Sequence, residues 1–141
     1  VYKRQDYDWM AYLSSNGTAL YFFKKNSSGT AENSTATTVS ANQWNHATVT
    51  KTGSSVVIYV NGVQANTMTL SDSSIRNTLG FTINAAWSAT SLTGFYQNVR
   101  VWDIALTSQQ VSDIYATPWL GSNYEETGNT YFFPAHFGGR L

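Results

Sequence analysis

The sequence predicts an all-β fold, a sandwich of two antiparallel sheets with one short helix near the carboxyl end. Charged residues make up only 11% of the chain and aromatic residues 15%, and Ser, Thr, Asn and Gly are abundant, which favours strands and turns over helices. Short apolar segments alternate with turn residues throughout, as in antiparallel sandwiches. At 141 residues the chain fits a single domain with a proper hydrophobic core.

The amino-terminal part predicts a hairpin. Residues 8–13 and 19–24 read as its strands, and residues 14–17 (SSNG) as the turn, because Asn-Gly supplies the positive φ angles that tight turns need. The polar residues 26–40 show no clear period, and we expect one weak strand and loops there.

The middle of the chain predicts a second hairpin. Residues 56–60 and 63–70 flank Asn61-Gly62, a typical two-residue turn. Before it, residues 44–50 alternate in the manner of a strand, and the pattern favours Trp44 as a core side chain over a sugar-stacking one.

Two further strands and a helix follow. We expect strands at residues 79–84 and 94–102, separated by a loop (residues 85–93) that contains Trp87. Thr107 and Gln110 form a predicted capping box, so a helix should run to about residue 116. Its predicted apolar stripe comprises Val111, Ile114 and Tyr115.

Composition and charge exclude several classes of function. The formal net charge is zero, so the chain lacks the basic surface that nucleic acids require. No apolar run approaches the ~20 residues of a membrane-spanning helix, and the absence of cysteine excludes disulfides and thiolate metal sites. A surface rich in Ser, Thr, Asn and Gly favours a secreted, cell-surface or virion-surface protein.

Four segments, in order and spacing, resemble the laminin G and pentraxin-like branch of the concanavalin A-like lectin and glucanase superfamily. They are residues 44–50 (WNHATVT), 57–62 (VIYVNG), 99–107 (VRVWDIALT) and 111–115 (VSDIY). The resemblance implies a jelly-roll sandwich over residues 6–117, and residues 118–141 as a carboxyl-terminal tail. It also implies that the first strands of the family pattern are missing from this chain.

The amino terminus suggests a cause for that truncation. Residues 1–5 (VYKRQ) resemble the translated end of a transposon adapter used in sequencing libraries, so we interpret them as an artefact on a metagenomic fragment. The alternative is a genuine strand end. The tail, with six aromatic residues and no clear period, is predicted to be an extra strand or an arm that packs on a neighbouring subunit.

Catalysis is not expected from the sequence. Glycosidases of this fold use two carboxylates about 5–5.5 Å apart when retaining, usually on one face of a strand, and no such motif occurs here. His46 has no second His, Cys or carboxylate at metal-ligand spacing and is interpreted as a structural strand histidine.

The resemblance implies a non-catalytic module that binds a glycan or glycoprotein. Trp87, Asn84 and Gln97 are the predicted ligand contacts, because an aromatic face stacks on sugar C–H bonds and amides hold hydroxyl groups. Calcium is common among relatives, but Gln97 and Asn98 stand where those carry two carboxylates, so calcium stays an alternative to having no cofactor. The alternatives in function are a structural or decoration domain of a phage tail, fibre or capsid, and a glycoside hydrolase remnant.

Overall fold

A computed structural model describes residues 9–14, 16–73 and 95–117, and the backbone of residues 134–138. In this part of the chain two antiparallel sheets pack against each other. One helix packs on part of the side of the second sheet that faces away from the first. The elements are β1 (Trp9–Leu13), β2 (Ala19–Lys25), β3 (Ala31–Asn33), β4 (Thr37–Thr38), β5 (Asn45–Thr52), β6 (Ser55–Val60), β7 (Val63–Thr69), β8 (Phe95–Gln97), α1 (Ser108–Ala116) and β9 (Pro134–Gly138).

The first sheet is built on the predicted amino-terminal hairpin. β1 and β2 pair in antiparallel register, and Gly17 at the turn has a φ of 69°, the conformation for which Asn-Gly was interpreted as a turn. β3 and β4 both pair with β2. The polar segment after β2 therefore holds two short strands, one more than the sequence predicted.

The second sheet has the order β7-β6-β5-β9-β8. The predicted hairpin forms its β6 and β7, with Asn61 and Gly62 at φ angles of 51° and 79°, as a type I′ turn requires. The tail contributes β9, which pairs antiparallel with β5 on one side and β8 on the other. Of the two alternatives for the tail, residues 134–138 thus adopt the extra strand.

The helix is confirmed with its predicted cap. Thr107 accepts a hydrogen bond from the backbone of Gln110, and the Gln110 side chain accepts one from the backbone of Thr107. This pairing satisfies two backbone donors that a helix start leaves open. Val111 and Ile114 are buried as predicted, whereas Tyr115 remains 43% exposed.

Nearly every residue of β5 is buried, and hydrophobic clusters lie on both sides of the second sheet. On the inner side Ala47, Val56 and Ile58 pack against Leu20 and Phe22 of the first sheet. A second cluster lies on the other side, where Tyr59 packs against three residues of the α1 region: Leu106, Val111 and Ile114. The sandwich therefore has a third, partial layer.

Two sequence predictions are wrong. Trp44 is 50% exposed, because the strand begins one residue later, at Asn45, whose buried amide bonds the Ser40 and Gln43 carbonyls at 2.7 and 3.0 Å. The strand predicted over residues 94–102 ends at Gln97, since Asn98 adopts the left-handed conformation with a φ of 55°, which interrupts strand pairing. The strand predicted at residues 79–84 lies outside the described residues.

Candidate functional site

The side of the second sheet that faces away from the first carries the candidate site. We call the part of this side formed by β5, β9 and β8 the outer face. α1 and residues 101–106 pack over β6, while at β8 the side chains of Phe95 and Gln97 remain exposed. Because side chains alternate along a strand, Phe95 and Gln97 project from the same side, and the half-buried Tyr96 from the other.

A row of polar residues crosses the outer face from β5 to β8. His46 lies directly opposite His136 on β9, and His136 lies directly opposite Gln97 on β8. In the strand register these three positions lie in one row across the sheet. The row runs from a completely buried position, His46 at 0% exposure, to an exposed amide at the sheet edge.

Two exposed aromatic residues flank this row. Phe95 is 65% exposed on the edge strand, and Trp44 precedes His46 by two residues at the start of β5. Large apolar side chains gain about 1.5–3 kcal/mol when fully buried, so both positions forgo part of that stabilisation. Exposed aromatic rings beside amides are the groups with which proteins bind sugars, through stacking on C–H bonds.

The turn between β6 and β7 supports the rim of the outer face next to α1. The Asn61 side chain accepts a hydrogen bond of 2.8 Å from the backbone N–H of His46, so Asn61 fixes the start of β5 in addition to making the turn. The Tyr115 ring lies 5.7 Å from the His46 ring between centroids. A Cβ at Gly62 would meet the Tyr115 ring at 2.9 Å, so Tyr115 stacks directly on this glycine.

Tyr96 lies on the other side of β8 from Phe95 and Gln97 and is half-buried. Burial raises the pKa of the Tyr96 hydroxyl above its usual range, because a phenolate is poorly solvated there. In the strand register Tyr96 lies opposite Phe137 of β9. Tyr96 thus anchors the edge strand from within and leaves Phe95 and Gln97 on the solvent side.

The predicted ligand contacts have different outcomes. Gln97 is exposed on the outer face, while Trp87 and Asn84 lie outside the described residues. Trp44, Phe95 and the two histidines were not predicted as a group, because β9 comes from a tail without a clear sequence period. Only the strand order brings His136 next to His46 and Gln97.

A buried ion pair lies away from the outer face, at the end of β7. Lys24, 1% exposed, bonds the carboxylate of Asp72 and donates to its backbone carbonyl at 3.0 Å. Asp72 also accepts a bond of 2.7 Å from the backbone of Ser27, and Glu32 accepts one of 2.8 Å from Ser71. Both carboxylates are thus bound into contacts that tie residues 71–72 to the first sheet.

The residues of the outer face fit calcium poorly. Calcium takes six to eight oxygen ligands, typically with several carboxylates, whereas Gln97 and Asn98 offer neutral amides, and Asn98 lies in a left-handed turn. Within the described ranges no three His, Asp or Glu side chains group together as metal ligands.

The fold and its motifs define a concanavalin A-like sandwich. A family model of the laminin G type, described as concanavalin A-like lectin/glucanases superfamily, matches residues 2–112, most of the chain. The chain therefore belongs to the laminin G branch of this superfamily. Comparisons with curated proteins and with solved structures gave no significant match.

The family indicates which classes of function to consider. Laminin G-like domains are typically non-catalytic and commonly extracellular, although the superfamily also includes glycosidases. No helix in the described part of the chain combines the length and apolar character needed to cross a membrane.

Proposed function

We propose that the chain is a non-catalytic module that binds a glycan or glycoprotein, as part of an extracellular, cell-surface or virion-surface protein. The observation that carries the proposal is the outer face, where exposed Phe95 and Gln97 stand side by side on the edge strand of a lectin-like fold. An aromatic ring next to an amide offers both a stacking surface and hydroxyl-binding groups.

The contacts of Glu32 and Asp72 support a structural role for these two acids rather than a catalytic one. Glu32 and Asp72 hold backbone N–H groups, and Asp72 also pairs with Lys24. A general acid of a glycosidase instead needs a raised pKa and an open approach to the glycosidic oxygen. Glu32 and Asp72 are instead engaged by these backbone and ion-pair contacts.

The proposal is tested on a panel of immobilised glycans. We expect the wild-type chain to bind at least one neutral glycan and Gln97→Ala to weaken that binding. Trp87→Ala and Asn84→Ala test the two remaining predicted contacts. Tyr12→Ala, which removes an exposed aromatic from the other sheet, is the matched control and should bind like wild type.

Two other outcomes would replace the proposal. Binding to no glycan, together with self-association through the carboxyl-terminal tail (residues 118–141), would favour a structural or decoration role in a virion. Release of reducing ends from a polysaccharide, abolished by replacing one acidic residue, would favour a glycoside hydrolase.

A further inference from the structure

The register of β5, β9 and β8 aligns a second row on the outer face. Pairing of β5 with β9 extends to Asn45 opposite Phe137, and β8 pairs Phe95 with Gly138. Carried one step beyond its last pair, this register brings Trp44, the residue that precedes β5, level with Gly138. Trp44, Gly138 and Phe95 therefore form a row, two residues along from the row of His46, His136 and Gln97, and on the same side of the sheet.

The central position of this row carries no side chain, because it is a glycine. The two outer positions carry large aromatic side chains, 50% and 65% exposed. Neighbouring strands lie about 4.7–4.9 Å apart, so the backbones at Trp44 and Phe95 are separated by two spacings, about 9.5 Å. The result is a shallow trough with an aromatic wall at each end and a backbone floor.

We infer that Trp44 and Phe95 are the two stacking positions of an oligosaccharide site, with Gly138 as its floor. This rests on the proposed function and specifies its ligand. A single pyranose ring is too short to contact both aromatic residues, whereas consecutive sugar units lying across the strands contact one each. The ligand class is therefore a neutral oligosaccharide of two or more units.

The polar groups at the border of the trough fit this class. Gln97 presents an exposed amide at one end, and the half-exposed Tyr115 borders the β5 end through its contact with His46. An amide and a phenol bind hydroxyl groups without needing a charged partner. In the described part of the outer face neither row contains a carboxylate, lysine or arginine, which favours an uncharged sugar.

The test measures binding of cello-, chito- and manno-oligosaccharides, each from the monosaccharide to the hexasaccharide, by titration calorimetry on the full chain. For the series that binds, we expect affinity to rise steeply from mono- to disaccharide. Trp44→Ala and Phe95→Ala should each raise Kd about tenfold, the size expected from loss of one aromatic contact, while Trp44→Phe and Phe95→Tyr should restore most of the affinity.

Two further variants separate a blocked site from a damaged fold. Gly138→Val adds a side chain to the floor in a residue type that strands favour, and should abolish binding while the thermal unfolding midpoint stays near that of wild type. Tyr12→Ala, on the first sheet, should bind like wild type.

The outcomes distinguish this site from the proposed function as a whole. If oligosaccharides bind, Trp87→Ala abolishes binding and both Trp44→Ala and Phe95→Ala leave Kd unchanged, the trough is not the site and the binding function stands. A monosaccharide that competes as well as the hexasaccharide would also overturn the inference. If no sugar in the three series or on the glycan panel binds, the proposed function fails and the trough with it.

Discussion

Gly62 serves two purposes at a single residue. Its φ of 79° lies in the left-handed region, and the Tyr115 ring packs where a Cβ would stand, at 2.9 Å. Gly53 offers a matched comparison, because its φ of 57° is also positive but nothing lies within 4 Å of a Cβ built there.

We therefore expect Gly53→Ala to lower the free energy of unfolding by about 1 kcal/mol, the cost of a left-handed alanine. Gly62→Ala should cost about 1–3 kcal/mol more, because the added methyl group displaces Tyr115. Urea denaturation at neutral pH measures both. Equal losses in the two variants would show that the contact with Tyr115 contributes nothing.

Tyr96 on the edge strand β8 should make the stability of the fold sensitive to alkaline pH. Burial raises the pKa of its hydroxyl in the folded state, so its neutral form contributes stability below the unfolded-state pKa of about 10. That contribution is lost as pH rises through the folded-state value. Tyr96→Phe should therefore flatten the fall in the free energy of unfolding above about pH 10. An unchanged slope would contradict the assignment.

At the scale of elements, the Lys24–Asp72 pair ties the end of β7 to β2. Removal of one member of a buried ion pair leaves an uncompensated charge and costs about 3–5 kcal/mol, less where one partner keeps some contact with water. Since Asp72 is 27% exposed, we expect Lys24→Met to cost about 2–3 kcal/mol. The measurement is urea denaturation at neutral pH.

The matched variants for this pair are Lys25→Met and a double change. Lys25, the next residue, is half-buried rather than fully buried, so its replacement should cost clearly less than that of Lys24. The double variant Lys24→Met with Asp72→Asn should cost clearly less than its two single changes together. Strict additivity would mean that the two side chains do not act as a pair.

Elements with strong local signals agree best between sequence and structure. The turns at Gly17 and Asn61-Gly62 and the capping box at Thr107 depend on a few neighbouring residues, and each forms where it was predicted. The prediction for Trp44 failed because alternation alone cannot say which side of a strand is covered. The strand begins at Asn45, so Trp44 lies one residue before it.

At the scale of the whole molecule, the candidate site depends on contacts that are distant in sequence. The central strand of the site is β9, which follows α1 in the chain. β9 also lies beyond residues 2–112, the part that the laminin G family model matches. The sequence predicted Gln97 as a contact, but residue spacing alone cannot place Trp44 and Phe95 on either side of Gly138. Only the strand order β5-β9-β8 does so.

A nuclear magnetic resonance titration of the isotope-labelled chain with the tightest-binding oligosaccharide tests directly whether the outer face binds carbohydrate. We predict that the largest shift changes occur at the Trp44 indole N–H, the Gln97 side-chain amide and the backbone of Phe95 and Gly138, while Tyr12 and Tyr21 of the first sheet stay unchanged. Shift changes confined to the first sheet or to the loop between β2 and β3 would contradict the assignment of the outer face as the carbohydrate-binding surface.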